Sequence, residues 1–219
     1  MTTTITDLWP FFDLSISTPL VTLVYPTDDI IVQILEQSHD IHSPDASPFT
    51  GSWSIDKPDV RIKSGLQWHW GSRATLSPDS WRLLFAVVVD KTVVGVQDAF
   101  ADDFPRLRVA KTGSWLNREF QGQGIGTEAR RAILHFLFAG LGARIAGTEA
   151  FESNAASRRV TEKLGYQPNG ETITVRGDEE VERTIQYRYE RADWETNLRS
   201  NDITITGLKP CLPFLGLQE

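Results

Sequence analysis

Short apolar blocks broken by glycine, proline and acidic turns run along the whole chain. Leu20, Val21, Leu23 and Val24 predict a brief strand ending at Tyr25-Pro26. Ile30, Ile31, Ile34 and Leu35 then recur at helical spacing behind Asp28 or Asp29 as cap, so a helix is expected to about Gln37. A Ser-, Pro- and Asp-rich stretch, residues 43–58, reads as a long loop, and residues 57–73 as a second helix. The clearest hairpin signal follows, with residues 83–89 continuously apolar, a break at Asp90-Lys91, and residues 92–97 resuming the pattern. Residues 108–116 predict another strand, and from Thr127 to about Gly140 the residues Ala129, Ile133, Phe136 and Leu137 keep a helical period that Gly140 and Gly142 stop. A strand over 144–151, a helix over 156–164 stopped by Gly165, and a hairpin pairing 172–175 with 184–189 through Gly177-Asp178 complete the order. Residues 1–17 read as an irregular, partly apolar arm, and those after Trp194 as a weakly patterned tail outside the core. The expectation is one α/β domain of the α+β kind over residues 18–194, with an arm at 1–17 and a tail at 195–219.

Composition narrows the function classes. Apolar residues make up 40% of the chain and mean hydropathy is −0.25, which fits a globular protein rather than a disordered or membrane-embedded one. No apolar run approaches the roughly 18 residues of a membrane span. The first ten residues lack Lys, Arg and an apolar centre, and Cys211 stands alone, so neither a secretory leader nor a disulfide is expected and a reducing cytoplasm is the expected setting. A net charge of −7 argues against nucleic acid as partner.

That charge is unevenly spread. Residues 1–103 hold 6 basic against 14 acidic residues, a net of −8, while residues 104–219 hold 16 against 15, a net of +1. Within the second half, Arg106, Arg108, Lys111, Arg118, Arg130 and Arg131 face only Glu119 and Glu128 over residues 104–131, a local +4. This basic island surrounds Gln121-Gly122-Gln123-Gly124-Ile125-Gly126. A strand entering a glycine loop that opens a helix exposes unpaired amides at the positive end of a helix dipole, which is a way to hold phosphate. A tight turn using glycine for geometry alone is the alternative. The dinucleotide fingerprint needs G-x-G-x-x-G and the P-loop needs Lys followed by Ser or Thr, whereas here the spacing is G-x-G-x-G and Thr127-Glu128 follow. A dinucleotide oxidoreductase is thereby disfavoured.

The loop and its preceding strand, from Gly113-Ser114-Trp115-Leu116 to Gly126, resemble the [Q/R]-x-x-G-x-[G/A] pyrophosphate loop of the acyl-CoA-dependent N-acyltransferase superfamily known as GNAT. A second stretch, Asn154-Ala-Ala-Ser157-Arg-Arg-Val160-Thr-Glu162-Lys163-Leu164-Gly165-Tyr166, is similar to the N-x-x-S-x-x-V-x-E-K-L-G-[FY] signature of the branch that acetylates ribosomal-protein N-termini, the RimJ/RimL type. Thr18-Pro19-Leu20-Val21-Thr22-Leu23 resembles that branch's T-P-R-L-x-L opening, with Leu20 in place of Arg.

The resemblance implies a mostly antiparallel sheet flanked by helices and split where acyl-CoA enters. Acetyl-CoA is the default donor, succinyl-CoA is an alternative, and no metal is implied. It further implies that an amine, of a small molecule or of a protein N-terminus, attacks the thioester directly, and it permits a homodimer. The cofactor-binding set it implies is Trp115, Leu116, Gln121, Gly122, Gln123, Gly124, Ile125, Gly126, Thr127, Asn154 and Ser157. The Leu116 region would offer an amide to the thioester carbonyl. Ser157 would serve the leaving thiolate, because the position of the family's usual Tyr is Thr161; a helix-start Ser satisfying backbone amides is the alternative. The family's Glu positions fall at Lys111-Thr112 and at Arg176, so Asp98, Glu149 and Glu152, near converging strand ends, are the candidate bases for an alkylamine of pKa about 10. A non-catalytic acyl-CoA-binding module is the rival that these departures support. His39 and His42 lack a third metal ligand, and Trp68-His69-Trp70 either lines an acceptor pocket or packs against neighbours.

Overall fold

The computed structural model describes residues 3–43, 47–177 and 180–218. Its centre is a nine-stranded sheet in the order β7-β8-β6-β5-β4-β3-β2-β1-β9. A short helix α1 (Ile5–Leu8) and a 3-10 turn (Pro10–Asp13) lead into β1 (Ser15–Ser17) and β2 (Thr22–Val24). Helices α2 (Asp28–Gln37) and α3 (Pro58–Ala74) cross one face before β3 (Ser80–Val89) and β4 (Thr92–Asp102). The cap of α2 is the backbone of Thr27, one residue before the expected Asp28, which sits in the first turn and pairs with Arg73. The β3–β4 hairpin turns at the predicted polar break: Asp90 and Lys91 both take positive φ, as a two-residue turn matched to strand twist requires.

After α4 (Phe104–Leu107) come β5 (Val109–Leu116), α5 (Ile125–His135) with a π-helical turn (Phe136–Gly140), β6 (Ile145–Phe151), α6 (Ala155–Lys163) and the hairpin β7 (Gln167–Arg176) and β8 (Glu180–Glu190). Asp178 of the expected hairpin turn lies outside the described residues. Helix α7 (Arg191–Asn197), β9 (Thr204–Thr206) and a 3-10 helix (Lys209–Leu215) end the fold. All strand pairs are antiparallel except β5–β6. Among the described residues no helix is long and apolar enough to cross a membrane.

Both chain ends correct the expectation of an arm and a tail. Strand β1 pairs with β2 and with β9, so Ile16 faces Leu23 on one side and Ile205 on the other. Phe11, Leu14, Ile16, Ile203, Cys211, Leu215 and Leu217 are buried in the same core as Phe85 and Phe136. Trp9 packs edge-on against Phe214. A side chain at Gly207 would collide with the Asp13 carbonyl, and its φ of 73° suits glycine, so the two termini approach to backbone contact there. The expected boundary at Trp194 falls inside α7, where that indole is buried. Three-residue strands carry too little periodicity to be read locally; burial against distant partners makes them.

Candidate active site

Strands β5 and β6 pair only through Val109, Ala110 and Lys111 against Ile145, Ala146 and Gly147. Beyond that point β5 stays with β4 as far as Leu116, and β6 stays with β8 as far as Phe151. The sheet therefore opens between them. The Asn117 amide donates to Val94 O of β4 at 3.0 Å. By strand alternation the Leu116 N–H and C=O point the other way, into the opening, and the Leu116 carbonyl accepts from Gln121 Nε2 there at 2.8 Å. Trp115 turns to the face covered by α2, 6.3 Å from the Trp53 ring.

Helix α5 starts at the wide end of this opening. Its N-cap is Gly124, at φ 85°, and no side chain caps it. Gly122 also takes positive φ, and a Cβ at either residue would meet nothing within 4 Å. Gln121 Nε2 donates to Ile41 O as well as Leu116 O, Gln123 Nε2 donates to Glu119 O, and buried Ile125 anchors the first turn. Gly126 and Thr127 complete that turn, with Gly126 in ordinary contact range of Leu116. A fixed loop with open space above it and uncapped amides below suits the pyrophosphate of CoA.

The basic island does not assemble around that loop. Arg106 pairs with Asp103 and Arg108 donates to Leu141 O, both at the start of β5, on the order of 25 Å from its end. Arg131 is held by Glu128 and Asp202, Arg130 is buried, and Lys111 lies mid-strand. Arg118 alone stays beside the loop, half-exposed and 3.3 Å from Asp40. Neighbours in sequence alternate faces and diverge in space, so the local +4 is no measure of local field.

Helix α6 follows β6 as α5 follows β5. Asn154 is its N-cap, accepting from the Ser157 amide at 3.1 Å. The capping role is thus taken by Asn154, and the half-buried Ser157 hydroxyl has no hydrogen-bond partner among the described residues. Of the three carboxylates, Asp98 on β4 is pinned by Arg82 and by the Gly113 amide. Burial pushes its carboxyl above the usual range, with Arg82 and that amide pulling it back. Glu152 lies past the end of β6, 3.9 Å from Arg183. Glu149 is exposed on the unzipped part of β6, without an ion-pair partner among the described residues. Arg176, at the family's Glu position, is committed to Ser47 O, Ser153 and Glu182.

His42 bonds Ser54 and steadies the loop. His39 Nδ1 donates to Glu36 O at 2.6 Å. On α3, Trp68 and Trp70 are exposed, with Trp68 against Arg82, while His69 turns inward. Burial, helped by Arg73, lowers the His69 pKa to about 4. A polar cluster that no local motif marks lies beneath the opening, made of Arg130, Ser114, Thr148, Thr112 and Tyr166. The available signal was Arg130 itself, a charge on the inward stripe of α5 with Ile133 and Leu137.

A model of the acetyltransferase (GNAT) domain matches residues 35–167. The chain belongs to the GNAT acetyltransferase family. Its fold is similar to Mycobacterium smegmatis RimJ, solved in complex with CoA-disulfide, at 20% identity and TM-score 0.71 over 88% of this chain and 93% of that one. It is similar also to RimL, a ribosomal L7/L12 α-N-protein acetyltransferase solved with coenzyme A (16% identity, TM-score 0.63, 79% and 95% covered). A GCN5-related N-acetyltransferase from Brucella melitensis gives 19% identity and TM-score 0.64 over 83% and 80%. Membership in GNAT makes the chain an acyl-CoA-dependent N-acetyltransferase, and its mixed sheet with one parallel, splayed pair is the GNAT architecture.

Proposed function

We propose that the chain transfers the acetyl group of acetyl-CoA to a primary amine, with the α-amine of a protein N-terminus as the first acceptor class to test. The observation that carries this reading is the Leu116 amide aimed into the β5–β6 opening, beside the uncapped start of α5. The amides from Gln123 to Thr127 would hold the CoA pyrophosphate. The Leu116 N–H would donate to the thioester oxygen as negative charge builds on it. Glu149, free in the mouth of the opening, would take the proton of the incoming ammonium, directly or through water. The amine nitrogen then bonds the carbonyl carbon, the C–S bond breaks, and the excess proton left on nitrogen goes to the departing thiolate, which leaves as free thiol. Ser157 would donate a hydrogen bond to the departing sulfur. Asp98 and Glu152 are less suited to the base role, since each already faces an arginine. The α-amine acceptor is suggested by the likeness to RimJ and RimL.

The test measures free thiol released from acetyl-CoA and succinyl-CoA with N-terminal peptides, polyamines and amino-acid amides. Amine-dependent release from acetyl-CoA is expected. Tight CoA binding with no release for any acceptor would overturn the reading in favour of a non-catalytic module. With an N-terminal peptide as acceptor, Glu149→Gln should lower kcat/KM at and below neutral pH, with the deficit shrinking as pH rises past the α-amine's own pKa of about 8.

A further inference from the structure

Arg130 is 3% exposed and sits in α5 directly under the β5–β6 opening. Its fork bridges the two strands: Nη2 donates to Ser114 Oγ of β5 and Nη1 to Thr148 Oγ1 of β6, both at 3.1 Å. Thr148 Oγ1 in turn donates to Thr112 O at 3.0 Å, and Thr112 Oγ1 donates to Gly147 O at 3.4 Å. These side-chain bonds begin at residues 112 and 148, where extension of the register would place the next ladder pair. They satisfy buried backbone groups that the parting strands release.

The arrangement is costly for a structural role alone. Among the described residues Arg130 has no carboxylate within ion-pair distance, and its Nε has no hydrogen-bond partner. A buried, unpaired cation is destabilising, and an apolar side chain of similar volume would fill the same space more cheaply. Its field reaches both faces of the sheet: the charge acts to lower the pKa of Asp98 on the far face and of buried Tyr166 on its own, although burial holds both carboxyl and phenol up.

We infer that Arg130 is a positioning residue for acyl transfer: its fork between Ser114 and Thr148 fixes the width of the β5–β6 opening and so aims the Leu116 amide, with its positive charge set beneath the reacting carbonyl. The inference rests on the opening being the acyl-CoA site. It is distinct from pyrophosphate binding, because Arg130 lies five residues inside the helix whose first turn forms the loop.

Arg130→Gln and Arg130→Lys, with Ser114→Ala and Thr148→Val singly and together, test it by steady-state kinetics and by calorimetric titration of CoA and of acetyl-CoA. For Arg130→Gln, kcat should fall about tenfold or more while CoA affinity stays within about threefold. The wild type should bind acetyl-CoA more tightly than CoA, that preference should shrink in Arg130→Gln, and Arg130→Lys should recover part of kcat. If Arg130→Gln fails to fold, the strand variants carry the test: each should lower kcat, and the pair should lose less than the product of the two, as members of one unit do. Unchanged kcat in folded Arg130→Gln, or in all strand variants, overturns the inference. So does an equal loss of CoA and acetyl-CoA affinity, which would mark general collapse of the site. A loss confined to succinyl-CoA also overturns it, making Arg130 a reader of the acyl tail. If the wild type turns over no amine, the proposed function fails, while the acetyl-CoA against CoA comparison still decides the role of Arg130.

Discussion

Two strand-to-helix turns flank the opening in the sheet, and they treat the same physical problem in opposite ways. Each helix start leaves amide groups without intrahelical partners. At α6 the protein satisfies them itself: Asn154 caps the helix and takes the Ser157 amide. At α5 it does not, placing left-handed Gly124 at the cap with clear space above it. The first arrangement frees a hydroxyl, because Ser157 is not needed as a cap, while the second frees backbone amides. On the proposed reading, a phosphate site and a side-chain site would thus arise from one motif by the choice of a single cap residue. On that reading, fixed amides rather than mobile side-chain charge would carry the anion, since five of the six basic residues near the loop in sequence are turned away or engaged elsewhere.

The strongest way to break this comparison is to close the open turn. Gly124→Asp keeps a residue type that tolerates positive φ and has room for its side chain, but sets a carboxylate where phosphate should lie. CoA affinity should fall about a hundredfold or more by titration, and the CoA-induced rise in Tm should vanish, with the unliganded Tm lower by only a few degrees. Retained CoA binding would remove the loop from the pyrophosphate site. Next in size is Ser157→Ala, expected to lower kcat about tenfold or more while CoA affinity stays within about twofold; unchanged turnover would return Ser157 to a plain helix residue. Opening the closed turn with Asn154→Ala should cost about 1 kcal/mol in denaturant unfolding and keep the CoA-induced Tm rise. Were that rise lost, α6 would share the anion site. Arg118→Glu should have the smallest effect, a loss of CoA affinity below about threefold that fades as salt is raised; a much larger loss would restore side-chain charge to the centre of the site.

Stability has its own pH signature, separate from these sites. His69 is neutral in the folded chain down to about pH 4, whereas an unfolded histidine takes its proton near 6.5. Its contribution is therefore present above pH 6.5 and is lost as pH falls toward 4, in total about 3 kcal/mol. Denaturant unfolding of His69→Gln between pH 7 and 4 should show a shallower decline than the wild type, and an equal slope would place the titration elsewhere.

Local patterns made much of the site legible. The Asp90-Lys91 turn, the order of strand, glycine loop and helix, and the Asn154 to Ser157 spacing each depend on residues within a few positions of one another, and the structure realises them almost residue for residue. The pairing of Ile16 with Ile205 joins opposite ends of the chain, so nothing near either residue foretells it. The same holds for carboxylates: Asp98, Glu149 and Glu152 look alike in sequence, and only Arg82 and Arg183 lying against two of them sets the third apart.

The amino-acid sequence by itself determined the family resemblance and the glycine loop, because glycine conformation, helix caps and turn residues act over one or two turns of chain. Tertiary structure decided what those pieces surround. It buried both termini in the core and dispersed the basic island. It left Glu149 without an ion-pair partner among the described residues, and it drove Arg130 under the opening between two strands. Each of those outcomes depends on which face a residue presents and on what arrives opposite it, and that is fixed only when distant strands pair.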